Sequence, residues 1–291
     1  MAEIIQRTFR ILADHMSVYQ FMLEIYEQDW RNGVPAPFFE YALSSNWMDK
    51  SYLHRCRLWI EGERIVAFCF MENPVTDTYF SLRPGYESLA NEILAYACAN
   101  MPGAGSEKHR LVLFGGQAAL MEAAKHAGWQ QHGGYDECVL DFAKGLGYSL
   151  PEGYCFATAP LDVGKCAECC WKGFDHETEE GPWDGNYEHA YQLMAAPHAT
   201  DELDVAIEDA QGNYVCYAGM WWTPENKLAY MEPLCTVPEH RGRGLASAAL
   251  AEVYRRTKAL GATHMTGGGN AFYRKIGFEP RVRWTFWKKE R

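Results

Sequence analysis

The 291-residue chain has no apolar run of the ~18 residues a membrane helix needs. Its start, MAEIIQRTFRILADH, lacks the basic-then-apolar layout of a secretory signal. Ten cysteines are scattered without a framework, and no second CxxC or HxxxH completes a zinc site. Free thiols in that number suit a reducing compartment. Basic residues are in deficit, 27 against 38 acidic, and a net charge of −11 argues against phosphate-backbone binding. No GxxxxGK[ST] and no GxGxxG occurs. Together these absences exclude a membrane protein, a nucleic-acid binder, a metal centre and the two commonest nucleotide loops. What is left is a chain 48 % hydrophobic and 14 % aromatic, expected to be soluble and cytoplasmic, with enough apolar content for a sizeable core.

The charge is unevenly spread. Residues 1–150 hold 18 acidic and 12 basic side chains, residues 151–240 hold 17 and 3, and residues 241–291 hold 3 and 12. An acidic segment followed by a basic one can neutralise across one fold, or can offer a basic side to an anion and an acidic side to a cation.

A glycine-rich stretch, DFAKGLGYSLPEGYCF at 141–156, suggests a boundary near the middle, giving domains at 1–145 and 151–291. The two halves then read alike. In the second, LDVGKCAECCWKGF is helical, ELDVAIED and NYVCYAGMWW alternate as strands, and KLAYMEPLCTV is a third strand. GLASAALAEVYRRTKALG is a helix that Gly261 stops, followed by a short strand THMT, a helix AFYRKIG and a terminal strand VRWTFWKK. The first half repeats that order: helices near 17–29 and 37–44, strands RCRLWIE, RIVAFCFME and DTYFSLR, then helix, strand RLVLF, helix and strand DECVLDF. Mixed strands with helices between them indicate an α/β or α+β mixed-sheet fold built twice.

The stretch that carries chemistry is CTVPEHRGRGLASAAL, 235–250. A strand, a tight loop with Gly242 and Gly244, and a helix start form an anion cradle, because backbone N–H groups and the helix dipole converge there. Arg241 and Arg243 add positive charge.

Arg241-Gly242-Arg243-Gly244-Leu245-Ala246 resembles the [QR]xxGx[GA] pyrophosphate-binding signature of the GNAT superfamily of acyl-CoA N-acyltransferases. The preceding strand MEPLCTVPEH and the following AFYRKIGF resemble that family's neighbouring elements in order and spacing. The resemblance is specific over about 197–280. It implies acetyl-CoA as co-substrate, held by Thr236, Val237, Arg241, Gly242, Arg243, Gly244, Leu245, Ala246 and Asn270. In the first half the corresponding SLRPGYESLANEIL has no Arg-Gly-Arg-Gly, and Ala124 stands where Tyr273 stands in the second. Two tandem GNAT-like domains are therefore expected, the N-terminal one degenerate, with one cofactor site per chain.

The reaction needs a deprotonated amine and a proton for the departing thiolate, and no covalent nucleophile. Tyr273 sits at the family's general-acid position. Glu232, a carboxylate in the otherwise apolar YMEPLCT, is the candidate base, since a carboxylate there is an unusual core residue. His198 and Trp221 are candidates for lining the acceptor pocket. Cys166, Cys169 and Cys170 share a helix face with Val163 and Phe174, so they read as packing rather than metal or redox groups. The resulting expectation is an N-acetyltransferase that moves an acetyl group onto a primary amine on a small cationic molecule by direct attack in a ternary complex. The alternatives are a catalytically silent acyl-CoA-binding regulatory module and a protein or peptide N-acetyltransferase.

Overall fold

The computed structural model describes residues 3–289, which separate into two compact units. One comprises residues up to Glu137 with those from Pro280 onward; the other is Cys138–Glu279. The mixed α/β class expected from the sequence holds in both. The limits differ from a cut at 145/151, because the chain's last strand joins the first unit. Its Trp284, Phe286 and Trp287 pair with Phe114, Val112 and Leu111 of that unit. Alternation identifies a strand but not the sheet it joins, so a linear division cannot see this.

The first unit contains β1 (Ile4–Thr8), α1 (Ile11–Ile25), α2 (Ala36–Ser44), β2 (Arg57–Glu61), β3 (Arg64–Met71), β4 (Asp77–Leu82), α3 (Ala90–Asn100), β5 (Arg110–Phe114), α4 (Ala118–His126) and most of β6 (Trp129–Asp141). Strands β1 to β4 form an antiparallel run, β4 and β5 are parallel, and the terminal strand pairs antiparallel with β5. Its core is aromatic: Trp284 packs edge-on against Trp30 and Phe114, and Phe68 stacks on Phe70 at 4.9 Å. Burial of such rings supplies most of the driving force here. The sequence reading missed β1, a five-residue strand whose Ile5 is exposed. It also started α1 too late. That helix has no side-chain N-cap, and Asp14 inside its first turn accepts from Arg10 N at 2.7 Å instead.

The second unit contains the last four residues of β6, then β7 (Cys155–Phe156), α5 (Val163–Gly173), α6 (His176–Glu179), α7 (Tyr191–Met194), β8 (Val205–Glu208), β9 (Tyr214–Thr223), β10 (Leu228–Thr236), α8 (Leu245–Ala259), β11 (His264–Thr266) and α9 (Ala271–Lys275). The chain ends with β12 (Glu279–Lys289). Strand order in this unit is β6-β11-β10-β9-β8-β7, with β10 and β11 parallel and the remaining pairs antiparallel. Alternation divides the sheet between two faces. Ile207, Cys216, Ala218, Met220, Ala229 and Met231 pack with the alanine-rich stripe of α8, whereas Ala206, Cys235 and Val237 pack with Cys169 of α5. Helix α5 begins at Asp162, whose carboxylate accepts from Lys165 N at 3.0 Å, an ordinary N-cap. Helix α8 carries Arg256 and Lys258 in its last turn, complementing its dipole.

Candidate active site

Strands β10 and β11 pair only at Leu228↔His264 and Ala229↔Met265. Beyond Ala229, β10 runs on to Thr236 with no further backbone pairing from β11 among the described residues. Met231 N instead donates to the Thr266 hydroxyl at 2.8 Å. The two parallel strands therefore part, leaving one edge of β10 open.

On its other side β10 stays paired with β9, but the register shifts between Met231 and Leu234. Two residues, Glu232 and Pro233, oppose Gly219 alone, which is a β-bulge, a device that re-aims a side chain. A Cβ on Gly219 would fall 2.5 Å from the Glu232 carbonyl oxygen and 2.7 Å from Pro233 Cδ, so only glycine fits. Glu232 is half-buried. Alternation from Met231 puts it on the α5 face of the strand, the face that also takes Trp221, which is buried opposite Tyr230.

Val237 is buried and its N–H bonds Val215 O at 3.0 Å, so β9 still holds the chain where the loop starts. Thr236, half-buried, turns its hydroxyl to Cys216 Sγ at 3.4 Å. Gly242 and Gly244 then adopt φ of 75° and 86°, a left-handed conformation that costs other residues. A Cβ on either would meet nothing within 4 Å, so the loop lies open. Helix α8 starts at Leu245 with no side-chain cap, and the first amide to return a hydrogen bond is Ala248 N, to Gly244 O at 3.0 Å. Among the described residues the amides from Gly242 to Ala246 have no partner, the donor set expected at an anion site.

Both arginines make hydrogen bonds within the protein. Arg241 donates to Thr236 O at 3.0 Å, Gly173 O at 2.8 Å and the Asp175 carboxylate at 2.9 Å. Arg243 donates to Tyr154 Oη and Glu239 O, both at 3.0 Å. Both side chains brace the loop. The charge of Arg241 is shared with Asp175, and that of Arg243 meets only neutral acceptors.

Tyr273, on α9, is buried. Its ring lies over the glycine run after β11: a Cβ on Gly267 or Gly268 would sit 2.7 or 2.6 Å from a ring carbon. Phe272 and Phe278 contact it edge-on at 5.2 and 5.3 Å. Asn270 caps α9, its Oδ1 accepting from Phe272 N at 3.0 Å, so that oxygen is engaged with the helix. Tyr273 thus belongs to the core packed with α8, Glu232 lies in the bulge of β10, and the glycine loop opens at the start of α8. His198 is half-buried in the turn after α7. Two residues on, Thr200 pins that turn to β9, donating to Met220 O at 2.7 Å and accepting from Trp222 N at 3.0 Å.

Several residues escaped the sequence reading. Gly219, Gly267 and Gly268 are space-makers; the GGG run after THMT signals the last two, and nothing in the sequence singles out Gly219. Asp204 accepts from Met220 N at 2.8 Å and from the Tyr217 hydroxyl. Burial pushes its carboxyl up to about 7, against the opposing pull of those hydrogen bonds.

Residues 201–280 match the acetyltransferase (GNAT) domain family. No curated protein matches the chain in sequence. Among solved structures, a GCN5-related N-acetyltransferase from Sphaerobacter thermophilus is 14 % identical, with a TM-score of 0.60 over 100 % of this chain and 97 % of that one. A tandem GNAT protein from the clavulanic acid biosynthesis pathway is 15 % identical, with a TM-score of 0.61 over 98 % of each chain. A GNAT-family acetyltransferase from Colwellia psychrerythraea is 10 % identical, with a TM-score of 0.62 over 98 % of this chain and 100 % of that one. The fold is that of the tandem GNAT proteins. Within it, residues 201–280 are the part that the GNAT acetyltransferase domain family matches.

Proposed function

We propose that the second unit is an acyl-CoA-dependent N-acetyltransferase that acts on a primary amine carried by a small cationic molecule. The observation that carries this reading is the open glycine loop at the start of α8, whose amides are unpartnered, beside the parted end of β10 and β11. The residues fit acetyl-CoA. The amides of Gly242 to Ala246 would hold its pyrophosphate, helped by the charge of Arg243. The stretch of β10 beyond Ala229 that β11 leaves, with Val237 after it, would take the amide-bearing pantetheine arm as an added strand takes a sheet edge. Asn270 would present its amide at the same end.

Acetyl-CoA supplies a thioester carbonyl already activated for attack. The chain supplies positioning and proton transfer. Glu232, on the α5 face of β10, takes a proton from the amine through water, and Tyr273 gives one to the departing thiolate. Direct attack within a ternary complex requires nothing further from the protein.

A cleft elsewhere in the same unit favours a cationic acceptor. Tyr187, Tyr191 and Glu188 line an open cleft of about 700 Å³ together with Gly185 and Asn186, and the two tyrosine rings lie 6.0 Å apart. Faces of that kind attract ammonium groups. His198 and Trp221 would border the acceptor side. The test is release of free CoA thiol, followed with acetyl-CoA and a panel of polyamines, aminoglycoside-like amines, neutral amines and amino acids. Turnover confined to cationic amines is expected; turnover with none of the panel would reject the acetyltransferase reading.

A further inference from the structure

Four thiols lie between α5 and β10, outside the residues assigned to acetyl transfer. Cys235 Sγ is 3.9 Å from Cys169 Sγ and 4.0 Å from Cys170 Sγ. Cys169 and Cys235 are buried, whereas Cys170 and Cys166 are half-buried. The approach depends on Gly173: a Cβ there would fall 2.7 Å from Cys235 Cβ and 2.9 Å from its Sγ. Helix and strand backbones are therefore close where the sulfurs converge. A disulfide needs sulfurs at about 2.05 Å, so the gap can be closed by rotating side chains within two elements that already touch.

The thiols are also unlike one another. Cys235 Sγ donates to Cys169 O at 3.6 Å and to Cys170 Sγ at 4.0 Å, and its contacts with the two neighbouring thiols, with the Arg241 charge, hold its thiol well below the ordinary value. The same contacts, with burial, raise the thiols of Cys169 and Cys170. The most easily ionised of the three sulfurs thus lies within 4.0 Å of two others, a spacing that allows attack on an oxidant followed by resolution.

We propose that Cys235 and the α5 pair Cys169/Cys170 form an oxidation site, at which hydrogen peroxide installs a reversible disulfide between β10 and α5. Cys235 sulfur attacks the peroxide O–O bond, becoming a sulfenic acid as one water leaves. Cys169 or Cys170 sulfur then displaces the sulfenic oxygen as a second water. Two S–H bonds are lost and one S–S bond forms, and one peroxide accepts the two electrons and two protons. Half-buried Cys170 gives a water-sized oxidant its way in. The bond would join the helix to the strand one residue before Thr236, where Arg241 already ties Gly173 and Asp175 to the loop.

The full chain, carrying Cys155→Ser to remove the exposed thiol, is treated with hydrogen peroxide, alkylated and digested without reductant. A linked peptide joining Cys235 to Cys169 or Cys170 is expected, lost on treatment with dithiothreitol, with Tm raised by about 5–10 °C in the linked form. The Cys169→Ala/Cys170→Ala chain, checked for folding by circular dichroism, should give no such peptide. Should it not fold, Cys169→Ser and Cys170→Ser singly each leave one partner, and each should yield the link to the sulfur that remains. Oxidation confined to other cysteines, or no link to Cys235 in the folded chain, overturns the proposal.

Discussion

In the first unit β4 and β5 pair only at Asp77↔Arg110 and Thr78↔Leu111, just as β10 and β11 pair at two positions in the second. The two openings are then treated in opposite ways. In the first unit the side chain of Gln117 spans the gap, accepting from Phe114 N at 3.0 Å and donating to Phe80 O at 2.9 Å. Leu82 N, on the edge of β4, donates to Asn32 O at 2.8 Å. At the helix mouth, Gly85 N donates to Glu87 at 2.9 Å, and Glu92 stands in the first turn of α3. An anion arriving there would meet an occupied amide and two carboxylates. In the second unit the first turn of α8 has no acidic residue, and the loop amides are open. β10 is also longer, nine residues against six, and the extra length contains the Glu232–Pro233 bulge. The same parting of two parallel strands occurs in both units, and in the first its donors are satisfied from within the chain.

The largest expected effect separates Tyr273 from Ala124, which stands at the matching place in the first unit. Tyr273→Phe should lower kcat on the order of 10²-fold or more, the usual loss for a positioned acid, with CoA affinity nearly intact. A rate within twofold of the parent would make the tyrosine a packing residue over Gly267 and Gly268.

Next comes the loop. Gly244→Val forces a β-branched residue into φ 86° and puts a side chain where phosphate would approach. CoA affinity by calorimetry should drop by about 10- to 100-fold. Gly85, with φ 91° and equal open space, is the control in the first unit. Gly85→Val should leave CoA affinity unchanged and the stoichiometry at one per chain. Two equivalent CoA sites would break the comparison outright.

The staple of the first unit gives a smaller effect, read as stability. Gln117 is buried and both of its amide atoms are used. Gln117→Ala leaves Phe114 N and Phe80 O without those bonds, which should cost about 1–3 kcal/mol in a denaturant melt. CoA binding at the second unit should not change. If the variant acquires a second CoA site, the filled gap was the only barrier to binding there.

Much of this was legible beforehand. The element order, apart from β1 and β7, and the glycine loop follow from period, turn chemistry and one motif. The hidden parts depend on contacts between residues distant in sequence. The terminal strand joined the first unit because Trp284 finds Phe114 and Trp30, 170 and 254 positions away in the chain. Gly219 looks like an ordinary strand glycine until Glu232 and Pro233 are set opposite it. Arg241 was read as phosphate-facing because its neighbours are glycines. Its actual acceptors, Gly173 O and Asp175, lie on a segment that no local pattern connects to the loop.

The smallest effect concerns charge. Residues 151–240 carry 17 acidic side chains against 3 basic, whereas residues 1–150 carry 18 against 12. If the acidic excess of the second unit serves the acceptor, a field of that sign should raise the on-rate of a cation and leave a neutral amine of equal size unaffected. Screening shortens to about 8 Å at physiological ionic strength, so kcat/KM for the cationic amine should fall as salt rises, by no more than about tenfold. Location can be tested by charge reversal. Glu188 is exposed on the wall of the tyrosine cleft, and Glu107 is exposed in the first unit. Glu188→Lys should lower kcat/KM for the cation and flatten its salt dependence, while Glu107→Lys should do neither. Equal responses from the two variants would mean that net charge alone, not the acceptor side of the second unit, governs the encounter.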